Sequence, residues 1–350
     1  DRHGRVGLGL HLGVLAHGPL GADARPNVKV ALTGGSGVVG RPLVRHLVEG
    51  GHQVQALARS PDSALALEHL GARPMIGDVL DRDSLDPLVA GADRVFHVAG
   101  VNEMCSTDPG QMDRVNIEGT RNVVAACRAG GVGRLIHTSS AATIGERPGT
   151  VGSETSPHRG SYLSRYERSK HLAEQALFDE CGSLDVVAVN PSSVQGPGRA
   201  SGTGRLILDL LNGRLPVLVE SRVSIVDIDD CARGHILAAE HGLPGERYLL
   251  SGASFGMAEV LDLLAEVTGR RSRPRFVSGS LASAGATAVE LVARLTGRRP
   301  RVCREMIRVL RAGHDYDGSR ATRELGLDYT PLRTTIRRTV DWFEEQGLLP

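Results

Sequence analysis

Tyr166-Glu167-Arg168-Ser169-Lys170 sets a phenol and an ammonium four residues apart, on one face of a helix. A phenol with its ordinary pKa of about 10 exchanges protons poorly near neutrality. A nearby ammonium favours the phenolate and lowers that value. Tyr166 can then act as general acid toward a carbonyl being reduced, or as base toward an alcohol being oxidised. Thr138-Ser139-Ser140 closes an apolar, strand-like run further upstream. The Ser140 hydroxyl can hydrogen-bond the same substrate oxygen and orient it. Lys170 can also hold the ribose of a nicotinamide nucleotide.

Such chemistry needs a hydride carrier, and the chain offers a place for one near its start. Val28 to Thr33 is β-branched and aliphatic, and Gly34, Gly37 and Gly40 follow at three-residue steps before a helix-like segment, Arg41 to Glu49. Strand, tight glycine turn and helix N-terminus together form a pyrophosphate cradle: the glycines admit the anion, and free N–H groups and the helix dipole favour it. The second strand ends Ala56-Leu57-Ala58-Arg59-Ser60, without the carboxylate that would bond a ribose 2′-hydroxyl. Arg59 instead suits a 2′-phosphate, so NADP(H) is favoured over NAD(H). Asp78 can accept a hydrogen bond from an adenine amino group, with Val79 packing on the ring. Val98-Ala99-Gly100 ends the fourth strand, where small residues let the backbone pass close to a cofactor.

The elements that must position these groups alternate along the chain. Strand-like runs at Lys29–Leu32, Gln53–Ala58, Pro74–Ile76, Arg94–Val98, Arg134–Thr138 and Asp185–Val189 are separated by amphipathic stretches such as Ile117–Ala129 and Tyr166–Phe178. Apolar strands joined by helices imply a Rossmann-type, doubly wound parallel α/β sheet, which binds ligands at the carboxyl ends of its strands. The expected organisation is an N-terminal extension over 1–26, a nucleotide-binding domain over 27–190 with 222–250 returning to it, and a smaller, mostly helical substrate lobe from 191–221 and 251–350.

The 350 residues carry 41% hydrophobic and 23% charged positions, ordinary for a globular α/β protein. A formal net charge of +1 and the lack of a long basic run argue against nucleic acid as a partner. No stretch reaches the ~20 apolar residues of a membrane span. Residues 1–26 are rich in Gly and His; Ala22-Asp23-Ala24 resembles a signal-peptidase site, but the interrupted apolar run reads as a flexible extension. The five cysteines, Cys105, Cys127, Cys181, Cys231 and Cys303, are odd in number and form no C-x-x-C pair. The expectation is idle thiols in a reducing, cytoplasmic setting, with neither a disulfide framework nor a metal site. Cys105 alone lies in a loop that could face a substrate.

Thr33-Gly34-x-x-Gly37-x-x-Gly40, Asp78-Val79, the serine pair before Ala141, Tyr166-x-x-x-Lys170 and Asn190-Pro191-Ser192-Ser193-Val194-x-Gly196-Pro197 together resemble an extended short-chain dehydrogenase/reductase, of the NAD-dependent epimerase/dehydratase family. The resemblance spans about 28–345. Arg59 and Gly245-Glu246-Arg247-Tyr248-Leu249-Leu250-Ser251-Gly252 are most similar to the branch of dihydroflavonol 4-reductases and 3β-hydroxysteroid dehydrogenases. The resemblance implies Ser140, Tyr166 and Lys170 as catalytic residues. It implies Gly34, Gly37, Val38, Arg59, Asp78, Val79, Ala99, Tyr166, Lys170, Pro191 and Val194 as cofactor contacts. It implies a homodimer, and an asparagine, Asn116, that supports the active-site backbone.

Sugar-acting relatives usually carry Tyr-Gly after the serine motif, and a Gly-Asp-Gly-like stretch and an arginine before the later Asp-containing strand. Here those places read Ile144-Gly145 and Glu220-Ser221-Arg222-Val223. The leading expectation is therefore an NADP(H)-dependent reductase of a small ketone or aldehyde, or the reverse oxidation. The alternatives are a nucleotide-sugar epimerase or dehydratase that retains NAD, and a non-catalytic NADP sensor. The loops Val101–Ser106 and Pro157–Tyr162 are expected to flank the substrate, with His158 a plain loop histidine.

Overall fold

A computed structural model describes residues 28–349 other than 107, 271–273 and 301. The sequence-level reading of residues 1–26 lies outside the described residues. The strands are β1 (Lys29–Thr33), β2 (Gln53–Ala58), β3 (Arg73–Ile76), β4 (Arg94–His97), β5 (Arg134–Thr138), β6 (Asp185–Pro191), β7 (Ser193–Gln195), β8 (Val217–Val219), β9 (Arg222–Asp227), β10 (Arg247–Leu250), β11 (Ala253–Gly256) and β12 (Arg275–Val277). Seven of them form one parallel sheet in the order β10-β6-β5-β4-β1-β2-β3. The strand order reverses between β1 and β4, and a ligand crevice opens at such a switch point.

Side chains of successive strand residues point to opposite faces, and here both faces are covered. Leu32, Ala56, Ile136, Val187 and Val189 pack into one core with the helices Gly40–Glu49 and Ile228–His241. Ala31, Leu57, Leu135, Val186 and Ala188 pack into the other with Leu85, Val123, Val124 and Leu177 of the helices Arg82–Val89, Gly119–Ala129 and Arg165–Glu180. This two-sided burial explains why the strands read as continuous apolar runs.

β10 joins the sheet beside β6, whereas β9 lies in a separate three-stranded sheet, β11-β9-β7. β8 and β12 pair with each other. A further core of Ile207, Leu218, Met257, Leu264, Ile336 and Phe343 binds the C-terminal helices. Of the helix Gly279–Thr296 only Ala286 and Ala293 are buried. No helix among the described residues is long and apolar enough to cross a membrane.

Cys105 and Cys303 form a disulfide that joins the loop after β4 to the start of the helix Arg304–Ala312. The expectation of five idle thiols is thus corrected for this pair. The partners are 198 residues apart, and only the tertiary fold brings them together. It also removes Cys105 as a free nucleophile, while Cys127, Cys181 and Cys231 remain thiols.

Candidate active site

Gly34 is the pivot of the glycine turn. Its φ is +76°, and a Cβ there would come within 2.4 Å of the Ala99 backbone nitrogen, so no other residue fits without displacing β4. At Gly40 a Cβ would meet the Gly34 carbonyl oxygen at 2.1 Å, which fixes how closely the helix Gly40–Glu49 abuts the turn. Gly37 closes the turn by donating its N–H to the Gly34 carbonyl at 3.0 Å, and its missing side chain would face nothing but that oxygen, 3.2 Å away. No side chain caps the start of the helix; the Arg41 and Leu43 N–H groups go to the Gly37 and Val39 carbonyls and Pro42 has none, so an anion here would rely on the N–H groups of the turn itself and on the helix dipole. Val38 packs on the core behind the turn. A dinucleotide's pyrophosphate fits this cradle.

Thr33 ties the two switch-point strands together. Its Oγ1 accepts the Ala99 N–H at 3.3 Å and shares a 2.7 Å hydrogen bond with His97 Nδ1. Burial, with the Lys170 ammonium adding to it, pushes His97 down to about 3, so the imidazole is neutral. Its Nε2 meets Thr120 Oγ1 at 3.1 Å. At the end of β2, Arg59 is exposed and bonded to no side chain or carbonyl among the described residues, while its neighbour Ser60 caps the next helix through the Ser63 N–H. Asp78 is half-buried, its carboxylate holding the Leu80 N–H at 2.9 Å. Val79 is buried against Gly119.

The proton-handling groups converge from β5 and the helix Arg165–Glu180. Ser164 caps this helix by accepting the Glu167 N–H at 3.0 Å, so it begins one residue before Tyr166. Ser140 follows β5, buried, its hydroxyl accepting the Ala142 N–H at 3.3 Å and lying beside the half-buried Tyr166 phenol. Burial pushes the phenol above its ordinary pKa; the Ser140 hydroxyl and the nearby Arg199 guanidinium pull it back. Lys170 is buried and donates from Nζ to the Thr138 carbonyl at 2.6 Å. Desolvation lowers it to about 8, opposed by the Glu174 carboxylate.

Supporting hydrogen bonds fix each of these parts. His235 Nδ1 donates to the Cys231 carbonyl at 2.7 Å, which leaves Nε2 to accept the Thr138 hydroxyl at 2.9 Å. The strand end that receives Lys170 is thereby held from below. Asn116 sits in a π-helical turn, Arg114–Glu118. It accepts the Val101 N–H at 2.7 Å and donates to the Val101 carbonyl at 3.0 Å and to Ser169 Oγ at 2.8 Å. It therefore links the loop after Gly100 to the helix of Tyr166. Beside Gly100, a Cβ would lie 3.8 Å from Lys170 Nζ. Pro191 ends β6, and Val194 in β7 is buried, its carbonyl accepting from Arg199.

Two groups at the site had no signal in their residue type. Arg199 was an unremarked residue of a glycine-rich loop; Gly202 leaves room for its guanidinium, 3.1 Å from where a Cβ would be. Glu174 joins Asn190 Nδ2 at 2.6 Å, Thr143 Oγ1 at 3.2 Å and Arg247 at 3.0 Å. Ile144 is buried with Ala141, Leu249 and Tyr316. His158 lies in a ring cluster, 4.3 Å from His171 and 5.3 Å from Tyr162 by centroids, and burial lowers its pKa. Cys105, Ser106 and Tyr162, from the two loops expected to flank the substrate, line one cavity of about 670 Å³.

The profile of the NAD-dependent epimerase/dehydratase family matches residues 30–251. Sterol demethylase protein B of Methylococcus capsulatus is 34% identical over 327 residues, 91% of this chain and 99% of that protein. The 2-alkyl-3-oxoalkanoate reductase of Stenotrophomonas maltophilia is 33% identical over 319 residues, 87% of this chain and 95% of that protein. Among solved structures, gox2253 superposes with a TM-score of 0.80 at 33% identity, covering 92% of this chain and 99% of its own. The chain belongs to the NAD-dependent epimerase/dehydratase family and is an NAD(P)-dependent oxidoreductase of the extended short-chain dehydrogenase/reductase type.

Proposed function

We propose that the protein reduces a ketone or aldehyde with NADPH, with Ser140, Tyr166 and Lys170 as its catalytic residues. The observation that carries this reading is the meeting of three groups at the end of β5: the Ser140 hydroxyl beside the Tyr166 phenol, and Lys170 Nζ on the Thr138 carbonyl at 2.6 Å. A bound nicotinamide supplies the hydride to the carbonyl carbon. Ser140 holds the carbonyl oxygen. Tyr166 gives that oxygen its phenolic proton as the C–O bond becomes an alcohol, and the Arg199 guanidinium and the Ser140 hydroxyl favour the phenolate left behind. Lys170 holds the nicotinamide ribose from its seat on Thr138. Asn116 keeps the loop after Gly100 in register with the catalytic helix.

NADPH rather than NADH is favoured by Arg59, an exposed cation, unpaired among the described residues, where a 2′-phosphate would lie. Asp78 and Val79 take the adenine. Reduction is favoured over sugar epimerisation by two observations. Arg222, the arginine available to a nucleotide diphosphate, is paired with Asp315 at 3.0 Å. Ile144 is buried in a cluster instead of facing the site. The reductase name of the relative from S. maltophilia agrees. The test is stoichiometry: a reductase consumes one NADPH per alcohol formed, whereas an epimerase shows no net consumption.

A further inference from the structure

We propose that the cavity beside the catalytic helix is an anion subsite, so that the substrate carries a carboxylate or phosphate on an apolar skeleton. The proposal rests on the carbonyl-reductase reading for the rest of the substrate. The cavity, about 670 Å³, is of a size that holds a small organic molecule. Its wall includes Tyr162 and Ser164, which lead into Tyr166, and the Cys105–Cys303 bridge. Met112 and Ala293 give it a buried apolar floor.

The charge around it is lopsided. Six arginines line the cavity against two glutamates. Arg168 is taken by Asp113 at 2.9 Å, Arg304 by Glu290 at 3.5 Å, and Arg308 donates to the Leu163 carbonyl at 3.3 Å. Glu305, the other carboxylate, accepts the backbone N–H of Arg165. The guanidiniums of Arg165, Arg294 and Arg298 have no acceptor among the described residues. They come from a helix start, a helix end and a loop, and meet at one concavity. Like charges gathered without a counter-charge repel each other, and an anion relieves that repulsion. Guanidinium forks suit the oxygens of carboxylates and phosphates, and the apolar floor suits a carbon chain behind them.

Calorimetric titration of the full chain with octanoate, octyl phosphate and 1-octanol tests the site without using turnover. At least one anion is expected to bind at least about tenfold more tightly than the alcohol, and its identity distinguishes carboxylate from phosphate. Arg165→Ala/Arg298→Ala is expected to remove that advantage while NADPH affinity stays within about twofold, which also reports folding. Arg165→Lys/Arg298→Lys, which keeps the charge, is expected to retain a preference for the anion. The proposal is overturned if neither anion binds better than octanol, or if the double alanine variant binds the anion as tightly as the native chain. Neither result touches carbonyl reduction, which is scored separately by NADPH consumption.

Discussion

Lys170 Nζ donates a 2.6 Å hydrogen bond to the Thr138 carbonyl, fastening the catalytic helix to the end of β5 just ahead of Ser140. Burial lowers Lys170 to about 8, so its charge is present below that pH and is lost as pH rises through it. If the ammonium holds the ribose, kcat/KM for carbonyl reduction should fall above about pH 8. The Glu174 carboxylate raises the Lys170 pKa. Glu174→Gln removes that charge and should move the alkaline limb down by up to about one pH unit. A pH profile of kcat/KM for both proteins checks this; an unmoved limb would assign the titration to another group.

Arg59 is exposed and has no partner among the described residues, so its removal should leave the fold intact. Arg59→Ala should weaken NADPH binding by about tenfold or more, roughly 1.4 kcal/mol, and leave NADH nearly unchanged. Parallel fluorescence titrations read the difference. Equal losses for the two cofactors would rule out a phosphate clamp at this position.

Gly34→Ala combines a left-handed φ of +76° with a Cβ 2.4 Å from the Ala99 nitrogen. Strain alone costs about 1–3 kcal/mol, and separating β1 from β4 adds to it. We expect a lower denaturant midpoint and loss of dinucleotide binding together. Gly37→Ala, whose Cβ meets only a carbonyl at 3.2 Å, should keep its stability better than it keeps cofactor affinity.

The bridge between Cys105 and Cys303 spans 198 residues, so its loss releases a long loop in the unfolded chain. Cys303→Ser should cost about 2–4 kcal/mol. A fall in Tm for the variant, matched by the native chain under a reductant, is the expected pattern. Identical melting with and without reductant would show that the bridge carries no stability.

Strands buried on both faces leave a plain trace in sequence. Gln53–Ala58 and Arg134–Thr138 are legible to the residue because Val54, Ala56, Leu57 and Ala58, and Leu135 and Ile136, form buried apolar runs. The glycine turn was legible because backbone contact at Gly34 and Gly40 tolerates no other residue. β7, β8, β11 and β12 are three or four residues long, too short to show a period. The π-helical turn at Arg114–Glu118 has the same periodicity as the helix that follows, yet it is what delivers Asn116 to Val101. Arg199 and the Cys105–Cys303 pair owe their positions to chain segments distant in sequence, and no local pattern marks them.

The most direct measurement is NADPH consumption with a panel of ketones and aldehydes by the native chain and by Tyr166→Phe. The phenol loses only its hydroxyl, so NADPH affinity should stay within about twofold. Turnover should fall by about 100-fold or more, the usual scale for removing a general acid. Turnover retained by Tyr166→Phe, or a native chain that never consumes NADPH with any carbonyl, would contradict Tyr166 as the proton donor of a carbonyl reductase.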